Sequence, residues 1–294
     1  MILLALLAGC KNDNGLQEIS YDAIAVVLGD FDNVGDTLTA STIGWTAYDG
    51  FIVQATYEPE DERQHRGEMA LTVEGLLTDT VGELDLAGYN AVFVNSGTRG
   101  LNRVQYNDAL AADDALLQDA ENLQKTCDFA EGGGTLVVSD WAYDLIQFCW
   151  PDAVDFAGDA AVVDGAQLGV AETGVLATVK DTVLTQDVGP VVTIDYNYTA
   201  WAVIEGVAAD TEVLMTGDVQ YQPSAEELYE DLADAPLLVR FKPNRGQVIY
   251  STFHWGAQVP SLTQSLLLGA VDGLNPGDGS ESATAAGEGG DSAS

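Results

Sequence analysis

The stretch Gly132–Trp150, GGGTLVVSDWAYDLIQFCW, decides the fold. Three glycines end whatever helix precedes them, because a glycine takes the left-handed backbone that terminates a helix without a Cβ clash. Thr135–Val138 is short, apolar and β-branched, the composition of a buried strand. Ser139-Asp140-Trp141 forms a corner, and Ala142–Phe148 reads as a helix that stops ahead of Pro151. In an open α/β sheet, ligands meet the protein where a strand hands over to its helix. The corner is therefore the place to look for chemistry.

Working outward, Ala109–Glu131 has helical spacing, with Leu110, Leu116, Leu117, Ala120, Leu123, Cys127 and Ala130 on its inner side. Ala91–Asn95 (AVFVN) is a buried strand that runs into the turn-forming cluster Ser96–Gly100. Ala23–Leu28 (AIAVVL) is a continuous apolar run suited to a strand covered on both faces, followed by a loop and a helix over Val34–Ile43. Gly44–Tyr48 and Phe51–Tyr57 read as strands. Glu58–Glu68 is a charged loop, and Met69–Thr78 fits strand or helix equally. Such alternation calls for a mostly parallel sheet with helices on both sides.

Beyond Val162 the chain turns β-rich. Val175–Val179, Val191–Ile194, Ala200–Val203 and Thr211–Thr216 read as strands, and Ser224–Leu232 as a short acidic helix. Leu237–Phe241 and Gln247–Thr252 pair across the turn Lys242–Gly246, and Ser261–Leu274 is a closing helix. Residues 275–294 have no large apolar side chain and read as a disordered acidic tail.

The 294 residues carry 10 Lys+Arg against 47 Asp+Glu, a net charge of −37. Such a field repels phosphate backbones, so nucleic acid is excluded as a partner. Met1–Cys10 (MILLALLAGC) is too short to span a bilayer. It resembles a bacterial lipobox, with small residues ahead of a cysteine, although no Lys or Arg precedes the apolar run. The expected organisation is a signal peptide over 1–10, a tether over 11–20, one α/β domain over 21–274 and the tail. Lipid on Cys10 would hold the chain on a membrane of the bacterial cell envelope. Cys127 and Cys149 could form a disulfide there or remain two buried thiols.

Four stretches resemble the class I glutamine amidotransferase-like fold, a flavodoxin-like three-layer sandwich. They are Ala23–Leu28, Tyr89–Gly97 (YNAVFVNSG), Phe129–Tyr143 (FAEGGGTLVVSDWAY) and Gly246–Trp255 (GQVIYSTFHW). In active members, the strand after the glycine turn leads to an elbow bearing a catalytic Cys. A later Phe-His-Pro-Glu-like motif supplies the base and its carboxylate. Here the elbow is Val138-Ser139-Asp140-Trp141-Ala142, without a Cys and without flanking glycines, and Phe253-His254 is followed by Trp255-Gly256. A His with no thiol to deprotonate cannot run that mechanism. The resemblance therefore implies a non-catalytic relative, or one with different chemistry, and no cofactor is expected.

In a parallel sheet the strand ends bring candidate site residues to one edge. Ser96, Thr98, Arg99, Arg103, Asp140, Trp141, His254 and Trp255 would line a pocket for a small anionic or polar ligand, the arginines supplying positive charge. Alternatively, the site would receive an envelope protein. Asp30, Asp32, Asp140 and His254 are the candidate metal set, a mixture of carboxylate and imidazole suited to Zn²⁺, Mn²⁺ or Fe²⁺. A hydrolase is the other alternative: Ser139 or Ser96 as nucleophile, His254 as base, Asp140 beside it, with Asp144 expected to face solvent. The preferred reading is a binding or scaffolding module.

Overall fold

The structure is a computed structural model. It describes residues 24–29, 31–50, 73–77, 86–98, 119–159, 166, 168–198, 200–223 and 228–271. The expected leader, tether and tail, the strand over 51–57 and the loop over 58–68 lie outside these residues.

A nine-stranded sheet organises the chain. Its parallel half contains β1 (Ile24–Leu28), β2 (Thr46–Asp49), β3 (Ala91–Val94), β4 (Thr135–Ser139) and β11 (Gln247–Ser251). Its antiparallel half contains β6 (Glu172–Val179), β7 (Val191–Tyr196), β9 (Glu212–Tyr221) and β10 (Glu230–Phe241). The strand order is β2-β1-β3-β4-β11-β10-β9-β6-β7, and β5 (Val154–Phe156) pairs with β8 (Ile204–Val207) in a separate ribbon. The fold is thus α/β with a large sheet of mixed strand direction.

Burial explains the apolar runs. Along β1, Ile24, Val26 and Leu28 join one core and Ala25 and Val27 the other. The strand is covered on both faces and needs apolar residues at every position. The first core takes Val34 and Leu38 from α1 (Val34–Ala40), Leu184 from α5 (Thr182–Val188) and Leu266 and Leu267 from α6 (Pro260–Ala270). The second takes Leu76 from α2 (Val73–Leu77), Ala130 from α3 (Ala120–Gly132) and Leu145 and Ile146 from α4 (Asp144–Cys149). β6 alternates instead, with Val175, Ala177 and Val179 buried and Leu176 69% exposed, the pattern of a sheet covered on one face only.

The central stretch folds much as its composition dictates. The helix α3 ends at Gly132, and Gly133 takes φ 124° while its N–H returns to the carbonyl of Ala130. Its start is set by Asp119, whose carboxylate accepts from the N–H groups of Glu121 and Asn122. The expected first part of this helix, over 109–118, falls outside the described residues. Cys127 and Cys149 form a disulfide that ties α3 to α4 across β4.

Four expectations need correction. The acidic stretch read as a helix over Ser224–Leu232 enters β10 at Glu230, where Glu230 pairs with Tyr221 and Asp231 with Gln220. Cross-strand pairing with β9 satisfies that backbone and overrides a weak local preference. Ala200–Val203 is not a strand: Ala200 has φ 61°, which breaks the extension, and β8 begins at Ile204. The β-rich half also contains the helix α5, which the sequence reading missed although Asp181 caps it by accepting from Val183 and Leu184 N–H. Asp144 does not face solvent but is fully buried.

Candidate functional site

The ends of β1, β3, β4 and β11 converge on one edge, as parallel strands require. The loop after β1 brings in Asp32. Gly29 permits this, because a Cβ there would sit on the carbonyl oxygen of Ser96. The N–H of Phe31 can then donate to that same carbonyl at 3.2 Å. The turn after β3 supplies Ser96, the corner after β4 supplies Ser139 and Asp140, and the segment after β11 supplies His254 and Trp255.

Two hydrogen-bonded centres result. Asp32 is 2% exposed. Its Oδ1 accepts from the N–H groups of Asn33 and Gly256, both at 2.8 Å. Its Oδ2 accepts from the Ser139 hydroxyl at 2.8 Å and the Trp255 N–H at 3.1 Å. Ser139 Oγ in turn accepts from the Ser96 N–H at 3.0 Å. Asp32 therefore staples the end of β4 and the segment after β11 to the loop after β1, and Ser139 passes the link on to the turn after β3.

The second centre is Asp140 with His254. His254 Nε2 lies 2.8 Å from Asp140 Oδ2 and 3.1 Å from Ser96 Oγ, and its Nδ1 lies 3.1 Å from Asn197 Oδ1. Asp140 Oδ1 accepts from the Ala202 N–H at 2.8 Å, and the Asp140 carbonyl from the Tyr250 hydroxyl at 3.0 Å. Asp140 is 1% exposed and His254 5%. Burial pushes the Asp140 carboxyl above 3.8, against the opposing pull of His254. Burial lowers the His254 pKa, but the hydrogen bond and charge of Asp140 more than offset this and hold it above 6.5. The two groups are in direct contact, so the titration of each depends on the charge of the other. In the charged imidazole both ring N–H groups have acceptors, Asn197 Oδ1 and Asp140 Oδ2.

Asp140 also has φ 41°, in the left-handed region that L side chains avoid. The elbow expected from the resemblance is therefore strained even without flanking glycines, and the network around Asp140 holds it there.

The structure brings together Asp32, Ser96, Ser139, Asp140, His254 and Trp255. Thr98 serves the turn instead, donating to the carbonyl of Asn95 at 2.6 Å. Trp141 is half-buried, its N–H directed at Ser96 Oγ and its ring 6.4 Å from Phe31. Asp30, Arg99, Arg103 and Cys10 lie outside the described residues. Asp32 and Asp140 direct their oxygens to different donors, and among the described residues no group of three or more His, Cys, Asp and Glu is placed to hold a metal.

Sequence reasoning missed Asn197, Ala202 and Phe31. Asn197 follows β7, which lies four places from β11 in the sheet order, yet it meets His254. No local pattern announces that contact. The imidazole is flanked by Phe31 at 6.4 Å and Tyr198 at 5.2 Å between ring centroids. Beside it opens a cleft of about 490 Å³ between the loop after β1 and the segments that follow β7 and β11.

No protein-family model matches the chain, and no curated protein sequence matches it. Solved structures with a similar course include a β-galactosidase from Bacillus circulans sp. alkalophilus, 12% identical with a TM-score of 0.43, covering 85% of this chain. This chain spans 30% of that enzyme's length. A protein described as a GMP synthase subunit, from Thermoplasma acidophilum, is 9% identical with a TM-score of 0.44, over 84% of this chain and 93% of its own. PurLQS from Thermotoga maritima is 12% identical with a TM-score of 0.44, over 83% and 96%.

Proposed function

We propose that the chain is a non-catalytic ligand-binding or scaffolding module of the bacterial cell envelope, held on a membrane by lipid at Cys10. Asp140 carries the non-catalytic reading. A nucleophile needs a free lone pair facing substrate. Here Oδ1 is taken by Ala202, Oδ2 by His254 and Ser96, and the side chain is 1% exposed. His254 spends the nitrogen that would face a nucleophile on a carboxylate instead. Ser96 shares that nitrogen but is fully buried.

Kinship with the class I glutamine amidotransferase-like fold, and the flavodoxin-like sandwich that goes with it, belongs to the same reading. Three features support it. Counting the parallel strands alone, the order β2-β1-β3-β4-β11 is 2-1-3-4-5. Asp140 follows β4 where the family carries its Cys, and His254 follows β11 within hydrogen-bond distance of it. For the envelope, the support is the lipobox-like Leu7–Cys10 and the Cys127–Cys149 disulfide, a bond that persists in oxidising compartments.

The hydrolase alternative has one observation in its favour, the strained backbone at Asp140. A panel of activated esters and amides, glutamine included, tests both. We expect no turnover above that of a His254→Ala variant; turnover that this variant abolishes would establish the hydrolase. Cys10→Ser should move the protein from the membrane to the soluble fraction of the expressing bacterium, and unchanged fractionation removes the anchor from the proposal.

A further inference from the structure

Taking the binding-module reading as its basis, we infer that the cleft beside His254 is a binding site for a neutral, polyhydroxylated ring, a monosaccharide or the end of a glycan. Its volume of about 490 Å³ is within the range of small-molecule sites. It opens at the strand-end edge where α/β sheets bind ligands.

The wall chemistry selects the ligand class. Asp32 and Asp36 are the charged groups among its described lining residues, and no Lys or Arg joins them. With a chain charge of −37 behind them, an anion is repelled. Asp32 is already satisfied by four donors, which leaves it no vacancy for a cation. The aromatic residues do not form a cage either. Phe31 and Tyr198 have centroids 5.4 Å apart, so the rings touch and no ammonium fits between them. Tyr198 lines the cleft and is 44% exposed. A pyranose lays the C–H face of its ring on such an exposed aromatic ring.

Around this ring stand neutral hydrogen-bonding groups. Tyr198, Thr37 and Asn197 line the cleft, and among the described residues the Tyr198 hydroxyl, the Thr37 hydroxyl and the Asn197 Nδ2 have no hydrogen-bond partner. Asn197 Oδ1 is held by His254, which fixes the amide so that Nδ2 is the end left to donate. Donors and acceptors around an aromatic face match a ring that carries hydroxyls on its rim.

The test is isothermal titration and thermal shift of the folded chain with glucose, galactose, N-acetylglucosamine and short oligosaccharides. Choline, spermidine, phosphate and citrate serve as controls. Saturable binding of a neutral sugar, with a Kd of about 1 mM or tighter, is expected. Tyr198→Ala should weaken it roughly tenfold or more, with an unchanged melting temperature, whereas Tyr198→Phe should retain most of it because the ring face remains. Tighter binding of oligosaccharides than of the free sugars identifies a glycan end as the ligand; equal affinity identifies the monosaccharide. No sugar binding by the folded chain, preferential binding of an amine or anion, or unchanged affinity in Tyr198→Ala would overturn the inference. Amine or anion binding would leave the binding-module reading standing. Cleavage of a bound glycoside would overturn that reading while leaving the site in place.

Discussion

Asp140 concentrates the energetics at the residue scale. A carboxylate that is 1% exposed is tolerated because every oxygen has a donor, and removing one partner strands the other. Asp140→Ala should therefore cost about 3–5 kcal/mol of unfolding free energy. The double variant with His254→Ala should cost clearly less than the sum of the two singles, as denaturant titration of the four proteins will determine. The same pair sets a pH dependence. Both groups have folded pKa values above their unfolded ones, Asp140 above 3.8 and His254 above 6.5. The folded chain then holds more protons than the unfolded chain in each window, so stability falls as pH rises. The contribution of His254 is complete below 6.5 and is lost as pH climbs through its raised folded value. Unfolding free energies from urea titration between about pH 6 and pH 9 should decline more steeply in the native chain than in His254→Asn, by at most about 1.4 kcal/mol per pH unit. Parallel declines would remove His254 from the account.

At the scale of elements, the disulfide and the strand-end staple do different work. Cys127–Cys149 closes a loop of 22 residues in sequence separation around β4. On the chain-entropy model its loss should cost about 3 kcal/mol, measured as the difference in urea unfolding between the native chain and the Cys127→Ser/Cys149→Ser variant. Asp32 instead joins three segments, the loop after β1, the end of β4 and the segment after β11, through hydrogen bonds to a buried carboxylate. Asp32→Ala leaves two backbone N–H groups and a hydroxyl at the ends of β4 and β11 without acceptors. A loss of about 3 kcal/mol or more is expected by the same denaturation assay, with the disulfide intact.

For the molecule as a whole, charge dominates. A net of −37 on 294 residues makes the compact state repel itself. Added salt screens that repulsion, so the melting temperature should rise between roughly 0.01 M and 1 M NaCl, where the Debye length falls from about 30 Å to about 3 Å. An unchanged or falling melting temperature would mean that specific ion pairs outweigh the overall field. The antiparallel half of the sheet adds a second whole-molecule effect: the segment after β7 supplies Asn197 and Tyr198 to a site whose other parts follow β1 and β11.

What the sequence determined by itself is the frame. Apolar runs such as Ala23–Leu28 and Thr135–Val138 require strands buried on both faces, Gly132-Gly133-Gly134 ends a helix, and the corner at Asp140 follows from the hand-over between the two. These are local consequences of periodicity and backbone freedom. The tertiary structure decided what the corner holds. It turned Asp140 inward at φ 41°, gave its oxygens to His254, Ser96 and Ala202, and set Asn197 behind the imidazole. Those partners lie 44 to 114 residues from Asp140 in sequence. Their meeting depends on strand order and on long-range packing, which no local pattern encodes. The same contacts make Asp140 and His254 a buried pair.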